Sequence, residues 1–112
     1  MIYSDKQIIA GIIQNRLERA MPLQIDASLM YVTGRGSLLL TKGDLAMESP
    51  YNTYVRQGLP LGPIANPGID SIKAALFPQK TSYLYYLSDR NHMVYYSETF
   101  EEHKEKKALY LP

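Results

Sequence analysis

The sequence predicts a small α+β domain with several short helices, a long ordered Pro/Gly loop and an antiparallel hairpin near the C-terminus. Three observations support this fold class. Apolar residues recur at helical spacing near the N-terminus, a proline- and glycine-rich stretch fills the middle, and two tyrosine-rich segments flank a turn near the end. With 112 residues, the chain has the length of one domain at most, so residues 1–112 are predicted to form a single domain.

The first helix is predicted from a stripe of aliphatic residues. Its apolar positions recur at helical spacing and would form a core face: Ile8, Ile9, Ile12, Ile13 and Leu17. Pro22 ends this helix. A short second helix follows, with Asp26 as its N-cap and Gly34 as a left-handed stop. Thr41 and Asp44 have the spacing of a cap for a further helical turn.

The middle of the chain, residues 48–68, is predicted to be a loop because it contains four prolines and three glycines. A loop of this length in a compact domain is usually functional or disordered. Its tyrosines and aliphatic residues give it much to bury, so we expect an ordered loop that lines a cleft rather than a disordered segment.

The last third alternates between helix and strand. A helix is predicted over 69–76, strands over 83–87 and 93–96, and a turn over 88–91 that makes the two strands an antiparallel hairpin. Thr99 and Glu102 have the spacing of a capping box, which predicts a final helix over 100–108.

Composition excludes several classes of function. The 12 basic and 11 acidic residues nearly cancel, so we expect no nucleic-acid partner, which would need a clustered basic surface. Without cysteine there is no disulfide, thiolate metal site or cysteine nucleophile. The two histidines, His92 and His103, lack metal-ligand spacing, and no cofactor motif is present, so neither a metal nor a cofactor is expected. The sequence contains neither a membrane span nor a signal peptide.

Three blocks of sequence carry the functional signal. Residues 14–26 read QNRLERAMPLQID, residues 49–54 read SPYNTY and residues 58–68 read GLPLGPIANPG, and the C-terminal block contains KTSYLYY (80–86) and HMVYYSETFEEH (92–103). In order and spacing these blocks resemble those of the MltG (YceG-like) endolytic murein transglycosylases, and they cover nearly the whole chain. Leu61 and Lys104 replace a common proline and a common asparagine of that family.

The resemblance implies an enzyme that cuts peptidoglycan glycan strands between N-acetylmuramic acid and N-acetylglucosamine and leaves a 1,6-anhydro end. One glutamic acid of raised pKa would protonate the leaving oxygen and then help deprotonate the C6 hydroxyl that closes the ring. The family's glutamate lies in a motif just before the stretch that corresponds to residues 1–3. We therefore expect an N-terminally truncated catalytic domain that carries no catalytic residue and is inactive alone.

Further expectations follow from the same resemblance. The full-length protein would be anchored in the bacterial inner membrane, facing the periplasm or cell exterior, and would carry a LysM-like subdomain upstream. Its partners would be peptidoglycan glycan strands and the cell-wall synthesis machinery, while the fragment itself would be soluble. Truncation would leave the apolar face over residues 8–17 exposed, so we expect copies of the chain to associate with one another through this face.

The family resemblance assigns five substrate-binding residues: Gln24, Asp26, Tyr51, Asn52 and Tyr54. For two of them a structural role is the alternative, because Asp26 could simply cap the second helix and Asn52 could bond backbone groups of its own loop. His92 and His103 match family histidines, and hydrogen-bonded structural roles are favoured over proton transfer.

Two functions compete for this chain. The first is a partial domain of a peptidoglycan lytic transglycosylase, and the alternative is a non-catalytic peptidoglycan- or glycan-binding module or pseudoenzyme. An unrelated cytosolic lyase is disfavoured, because nothing in the sequence resembles a pyridoxal-phosphate lysine site.

Overall fold

A computed structural model describes residues 2–36 and 39–111. This part of the chain forms five helices and one two-stranded antiparallel sheet, which confirms the predicted α+β class. The elements in chain order are α1 (Tyr3–Glu18), α2 (Asp26–Thr33), α3 (Lys42–Leu45), α4 (Ile69–Leu76), β1 (Tyr85–Ser88), β2 (Val94–Ser97) and α5 (Phe100–Tyr110). Two compact units are formed, one from Met1–Asn15 and Pro67–Pro112 and the other, Arg16–Asn66, from the segment between them.

In the first unit, helix α1 packs against the segment that follows α4. A Cβ added to Gly11 would lie 2.1 Å from the carbonyl oxygen of Gln79, so the helix approaches that backbone more closely than any side chain allows. One turn further on, Asn15 Nδ2 donates to the carbonyl oxygens of Thr81 and Tyr83, both at 2.8 Å. These contacts fix the chain that leads into the hairpin.

The hairpin lies where the sequence predicts it, with strand limits shifted by one or two residues. Its register pairs Tyr85 with Ser97 and Ser88 with Val94. The first strand begins two residues later than predicted because the Tyr83 carbonyl accepts from the α1 asparagine instead of pairing across the sheet. Helix α5 begins after Thr99, whose hydroxyl accepts from the Glu102 N–H at 3.2 Å, as the capping signal predicts.

The core of the first unit contains fewer α1 side chains than predicted. Only Ile12, with 2% of its surface exposed, is fully buried, whereas the other four members of the predicted stripe are partly covered. The remaining buried apolar residues of this unit are Ala74, Leu84 and Leu87.

The second unit contains α2, α3 and the long loop. Helix α2 ends at Gly34, whose φ of 71° is the predicted left-handed stop. Thr41 and Asp44 form a complete capping box on α3, also as predicted. Residues 48–68 contain neither helix nor strand, which confirms the predicted loop.

One cap was predicted incorrectly. Ile25, not Asp26, is the N-cap residue of α2, and no side chain caps this helix. Asp26 is instead the first helical residue, where the helix dipole favours a carboxylate. Among residues 2–36 and 39–111, every helix is too short or too polar to cross a bilayer.

Candidate functional site

The predicted site residues lie in two segments of the second unit that are joined by backbone pairing. The Gln24 N–H donates to the Thr53 carbonyl oxygen at 3.1 Å. The Ile25 N–H donates to the Thr53 hydroxyl at 2.9 Å, and this hydroxyl also lies 3.2 Å from the Ile25 carbonyl oxygen. Thr53 is buried, and its hydroxyl contacts that of Ser28 as well. The two segments, 24–26 and 52–54, are therefore held in a fixed register, and we call this arrangement the Thr53 clamp.

Asp26 and Tyr54 meet at one end of the Thr53 clamp. The Tyr54 hydroxyl donates a hydrogen bond to Asp26 Oδ1, and both side chains are partly exposed. A phenol held on a carboxylate is oriented by it, because the charged acceptor makes the stronger kind of hydrogen bond. The pair thus gives the surface a fixed aromatic ring beside a fixed anionic group.

Asn52, which is bonded to the backbone of Tyr54, has none of its surface exposed. Its Nδ2 donates to the carbonyl oxygens of Leu45 at 3.0 Å and Met47 at 2.7 Å, and its Oδ1 accepts from the Tyr54 N–H at 2.9 Å. Because the amide is buried and bonded at both ends, it is not presented to a ligand. The geometry favours the structural alternative, in which Asn52 sets the position of Tyr54.

Tyr51 forms an aromatic pair that the sequence did not indicate. Its ring centroid lies 5.1 Å from that of Tyr31, with the planes tilted by 35°. Tyr31 is 53% exposed on helix α2. A Cβ at Gly62 would lie 3.6 Å from the Tyr51 hydroxyl, so the loop glycine passes close to this side chain. No local sequence pattern marks Tyr31, because its significance comes only from the tertiary contact.

Gln24 is exposed and adopts a left-handed backbone conformation with φ of 52°. A non-glycine residue in this region is uncommon and is maintained here by the bond from its N–H to Thr53. In the described part of the chain its amide side chain makes no hydrogen bond, so both its donor and acceptor face solvent. These are the groups that hydrogen-bond sugar hydroxyls.

Two ion pairs flank the site residues. Arg35 Nη1 lies 2.5 Å from Asp44 Oδ2, and Glu48 accepts from Arg56 Nε at 2.9 Å and Nη2 at 2.5 Å. The pKa of Asp44 is lowered, first by the hydrogen bond from the Thr41 N–H and further by the Arg35 charge, which together outweigh the opposing effect of burial. Asp44 is thus held ionised as part of the α3 cap.

The arrangement can bind and orient a ligand. A general acid at neutral pH needs a carboxyl group of raised pKa. The pKa values of Asp44 and Asp89 are both lowered, so neither of these two carboxyl groups suits that role. Among residues 2–36 and 39–111, no three His, Asp or Glu side chains form a possible metal site.

The two histidines belong to the first unit. His103 is partly buried and stacks on Tyr85, with ring centroids 5.1 Å apart. His92 is exposed in the hairpin turn, where its backbone is left-handed with φ of 62° and its N–H donates to the Asp89 carbonyl oxygen. The hydrogen-bonded structural roles favoured from sequence stay a prediction for both histidines.

Comparison with known proteins identifies relatives across almost the whole chain. The pattern that defines the YceG-like family matches residues 2–108. The endolytic murein transglycosylase of Bacillus subtilis (strain 168) is 44% identical over 108 residues, covering 96% of this chain and 30% of that protein. The endolytic murein transglycosylase of Streptococcus pneumoniae (strain D39) is 36% identical over 110 residues, covering 93% of this chain and 20% of that protein.

A solved structure shows the same fold. The crystal structure of a YceG-like protein from Listeria monocytogenes superimposes with a TM-score of 0.85 at 45% sequence identity, covering 90% of this chain and 33% of that one. In each comparison, therefore, the chain corresponds to a third or less of its relative's length.

Proposed function

Because the chain belongs to the YceG-like family, we propose that it is the glycan-binding part of a lytic transglycosylase that cleaves peptidoglycan strands internally. The relatives named endolytic murein transglycosylase support this activity. The observation that carries the proposal is the Thr53 clamp, which pairs Gln24 with Thr53 and brings Asp26 to the Tyr54 hydroxyl.

Each exposed part of the site suits a feature of a sugar. The Gln24 amide offers a donor and an acceptor to hydroxyl groups, and the Asp26–Tyr54 pair offers a charged acceptor of fixed direction. The Tyr31 and Tyr51 rings supply flat apolar surface for the C–H faces of pyranose rings. Asn52 is a positioning residue, because its buried amide fixes the backbone of Tyr54.

The reaction needs one carboxylic acid in addition to these groups. This acid transfers its proton to the oxygen of the breaking glycosidic bond, and the resulting carboxylate removes a proton from the C6 hydroxyl, whose oxygen bonds to C1. The products are two shorter strands, one that begins with a free 4-hydroxyl and one that ends in a 1,6-anhydro sugar, and no water is consumed. By resemblance to the family, the acid would lie before the stretch that matches residues 1–3, and the residues of this chain would hold the strand against it.

A chimera tests this proposal. The segment that precedes the matched region in the Bacillus subtilis relative is joined to residue 1, and purified peptidoglycan is digested with the chimera and with the chain as given. Mass spectrometry should find anhydro-ended fragments only with the chimera, and changing the glutamate of the donated segment to glutamine should abolish them. A folded chimera that releases no anhydro ends, under conditions where the intact relative does, contradicts the proposal.

The second candidate function is a non-catalytic glycan-binding module, which the exposed Gln24 amide and the Asp26–Tyr54 pair would serve without a catalytic acid. It predicts glycan binding by both the chain and the chimera without cleavage by either. The same digestion, combined with a binding titration, separates the two functions.

The cellular setting is proposed from the family. The full-length protein would be anchored in the bacterial inner membrane with this region on the outer side, in contact with the cell-wall synthesis machinery. Self-association through residues 8–17 is a further proposal, although burial of Ile12 leaves that face less area than the sequence suggested. Sedimentation showing a monomer at all concentrations would exclude self-association.

A further inference from the structure

A cleft of about 440 Å³ in the first unit lies between the hairpin turn and the end of α5. Its volume falls within the range of small-ligand sites. It is lined by Asp89, Arg90, Asn91, Leu109, Tyr110 and Leu111, which we call the hairpin cleft. None of these residues is among the site residues predicted from sequence or used in the proposed function.

The walls of the hairpin cleft are held together by one connected set of contacts. Asp89 Oδ1 accepts from the N–H groups of Asn91 at 2.8 Å and Met93 at 3.0 Å, which fixes the turn. Asp89 Oδ2 accepts from the Tyr95 hydroxyl at 2.9 Å, and the Tyr95 ring stacks on that of Tyr110 with centroids 3.8 Å apart and planes within 8°. The turn and the helix end are therefore preorganised relative to each other, which reduces the entropy cost of binding.

Three groups of the hairpin cleft are not engaged in holding its walls together and can contact a ligand: a cationic side chain, a side-chain amide and an apolar surface. In the part of the chain that the structure describes, the exposed Arg90 guanidinium has no acidic partner and the Asn91 side chain makes no hydrogen bond. Leu109 is 71% exposed beside the Tyr110 ring. The Asp89 carboxylate is already bonded to three donors, so it adds negative charge nearby without serving as a free acceptor.

We propose that the hairpin cleft binds a saccharide that carries a carboxylate, with the carboxylate on Arg90 and a sugar face on Tyr110 and Leu109. A planar guanidinium matches a carboxylate in a bidentate pair, and an aromatic ring beside an aliphatic side chain suits the C–H face of a pyranose. Among the sugars of the proposed substrate, the muramic residues carry a free lactyl carboxylate wherever the stem peptide, which otherwise occupies this group as an amide, has been removed. The choice of this sugar rests on the proposed function, whereas the cleft is separate from the Thr53 clamp.

The test is an NMR titration of the ¹⁵N-labelled chain with three probes: a tetrasaccharide containing N-acetylmuramic acid, neutral chitotetraose and tetraglutamate. The muramic probe should shift the amide signals of Arg90, Asn91 and Tyr110, and chitotetraose should bind there about fivefold more weakly, as expected for loss of one exposed ion pair. Arg90→Gln should remove that preference. Arg19→Gln, which removes an exposed arginine outside the cleft, should retain it.

Equal binding of the two sugars at the cleft, or equal effects of the two arginine variants, overturns the proposal. Tighter binding of tetraglutamate than of the muramic sugar also overturns it, because the cleft would then be a site for acidic peptides. Signals from Gln24, Asp26 and Tyr54 report on the Thr53 clamp in the same spectra. A failure of the proposed function at that site is therefore seen separately from a failure at the hairpin cleft.

Discussion

Asn52 shows how one buried side chain can shape a binding surface without touching a ligand. Its amide ties the end of α3 to the backbone of Tyr54, so the tyrosine hydroxyl reaches Asp26 from a fixed position. Removing such an amide leaves buried carbonyl and N–H groups without partners, which costs more than the hydrogen bonds themselves.

We therefore expect Asn52→Ala to lower the free energy of unfolding by about 2–4 kcal/mol. Asn66→Ala, which changes an exposed asparagine of the same loop, should alter it by less than about 0.5 kcal/mol. Urea unfolding followed by tyrosine fluorescence measures both values. Equal stability of the two variants would show that the buried amide is not needed to hold the loop.

The Tyr54 hydroxyl allows a more selective change, because phenylalanine keeps the ring. Tyr54→Phe removes the donor to Asp26 and should weaken binding of a muramic tetrasaccharide by about fivefold, the equivalent of one net hydrogen bond of about 1 kcal/mol. Tyr3→Phe, on helix α1, is the matched control and should bind as the unchanged chain does. If NMR titration followed at the Gln24 and Asp26 amide signals gives the same affinity for both variants, the Asp26–Tyr54 pair does not contribute to glycan recognition.

At the scale of elements, the position of α1 depends on a glycine. Alanine normally stabilises a helix relative to glycine by up to about 1 kcal/mol. At Gly11 this gain is outweighed, because the new Cβ would lie 2.1 Å from the Gln79 carbonyl oxygen and the backbone would have to move. Substitution by alanine is therefore expected to have opposite effects on stability at the two glycines that lie in helices, Gly11 and Gly43.

Gly11→Ala should lower the free energy of unfolding by about 1–3 kcal/mol, the usual cost of overpacking. Gly43→Ala on α3 should be neutral or slightly stabilising, because its Cβ would meet only the Thr41 hydroxyl at an ordinary 3.6 Å. Thermal unfolding followed by circular dichroism compares the two. A melting temperature for Gly11→Ala equal to that of the unchanged chain would mean that α1 and the Gln79 segment separate at no cost.

Elements with strong local signals were predictable from sequence. Proline, glycine and capping residues determine backbone geometry locally, so the α4 limits, the Gly34 stop and the α3 cap were predicted correctly. The Asp26 cap was wrong because a tertiary partner, Tyr54, takes its carboxylate. The start of β1 was displaced for a similar reason, since the Asn15 amide binds the Tyr83 carbonyl.

The candidate site was predictable only in part. Family motifs indicated Gln24, Asp26 and Tyr54, which the structure brings together through pairing between segments 28 residues apart. The burial of Asn52 and the contact between Tyr31 and Tyr51 depend on how α2, α3 and the loop pack. The local sequence pattern does not determine such tertiary packing. The structure was therefore needed to separate the residues that face a ligand from those that position them.

At the scale of the whole molecule, each unit contains an aspartate whose pKa is lowered by its contacts. In the second unit, the Thr41 N–H and the Arg35 charge lower the pKa of Asp44. In the first unit, burial acts to raise the pKa of Asp89, but the N–H groups of Met93 and Asn91 and the Tyr95 hydroxyl outweigh it and lower the pKa. Both carboxylates connect elements within their units, so their protonation should affect stability throughout the chain.

The sign of the pH effect follows from linkage. An aspartate whose pKa in the folded state lies below its ordinary value of 3.8 stabilises the fold at pH values above 3.8. That contribution is lost as the pH falls through the lower, folded-state pKa, because the folded chain must then take up the proton it disfavours. We expect the free energy of unfolding to be nearly constant from pH 7 to 5 and to fall steeply below about pH 4.

Asp44→Asn and Asp89→Asn should each be less stable than the unchanged chain at pH 6 and should each lose less stability between pH 5 and 2. Asp70→Asn, which removes an exposed carboxylate in the first turn of α4, should keep the acid dependence of the unchanged chain. Urea titrations at several pH values measure these slopes. Parallel curves for all four proteins would mean that the two aspartates do not stabilise the fold through their charge. If only one of the two variants has a weaker dependence of the free energy of unfolding on pH, the acid sensitivity belongs to the unit that contains the substituted aspartate. This follows because the two carboxylates stabilise different sets of elements.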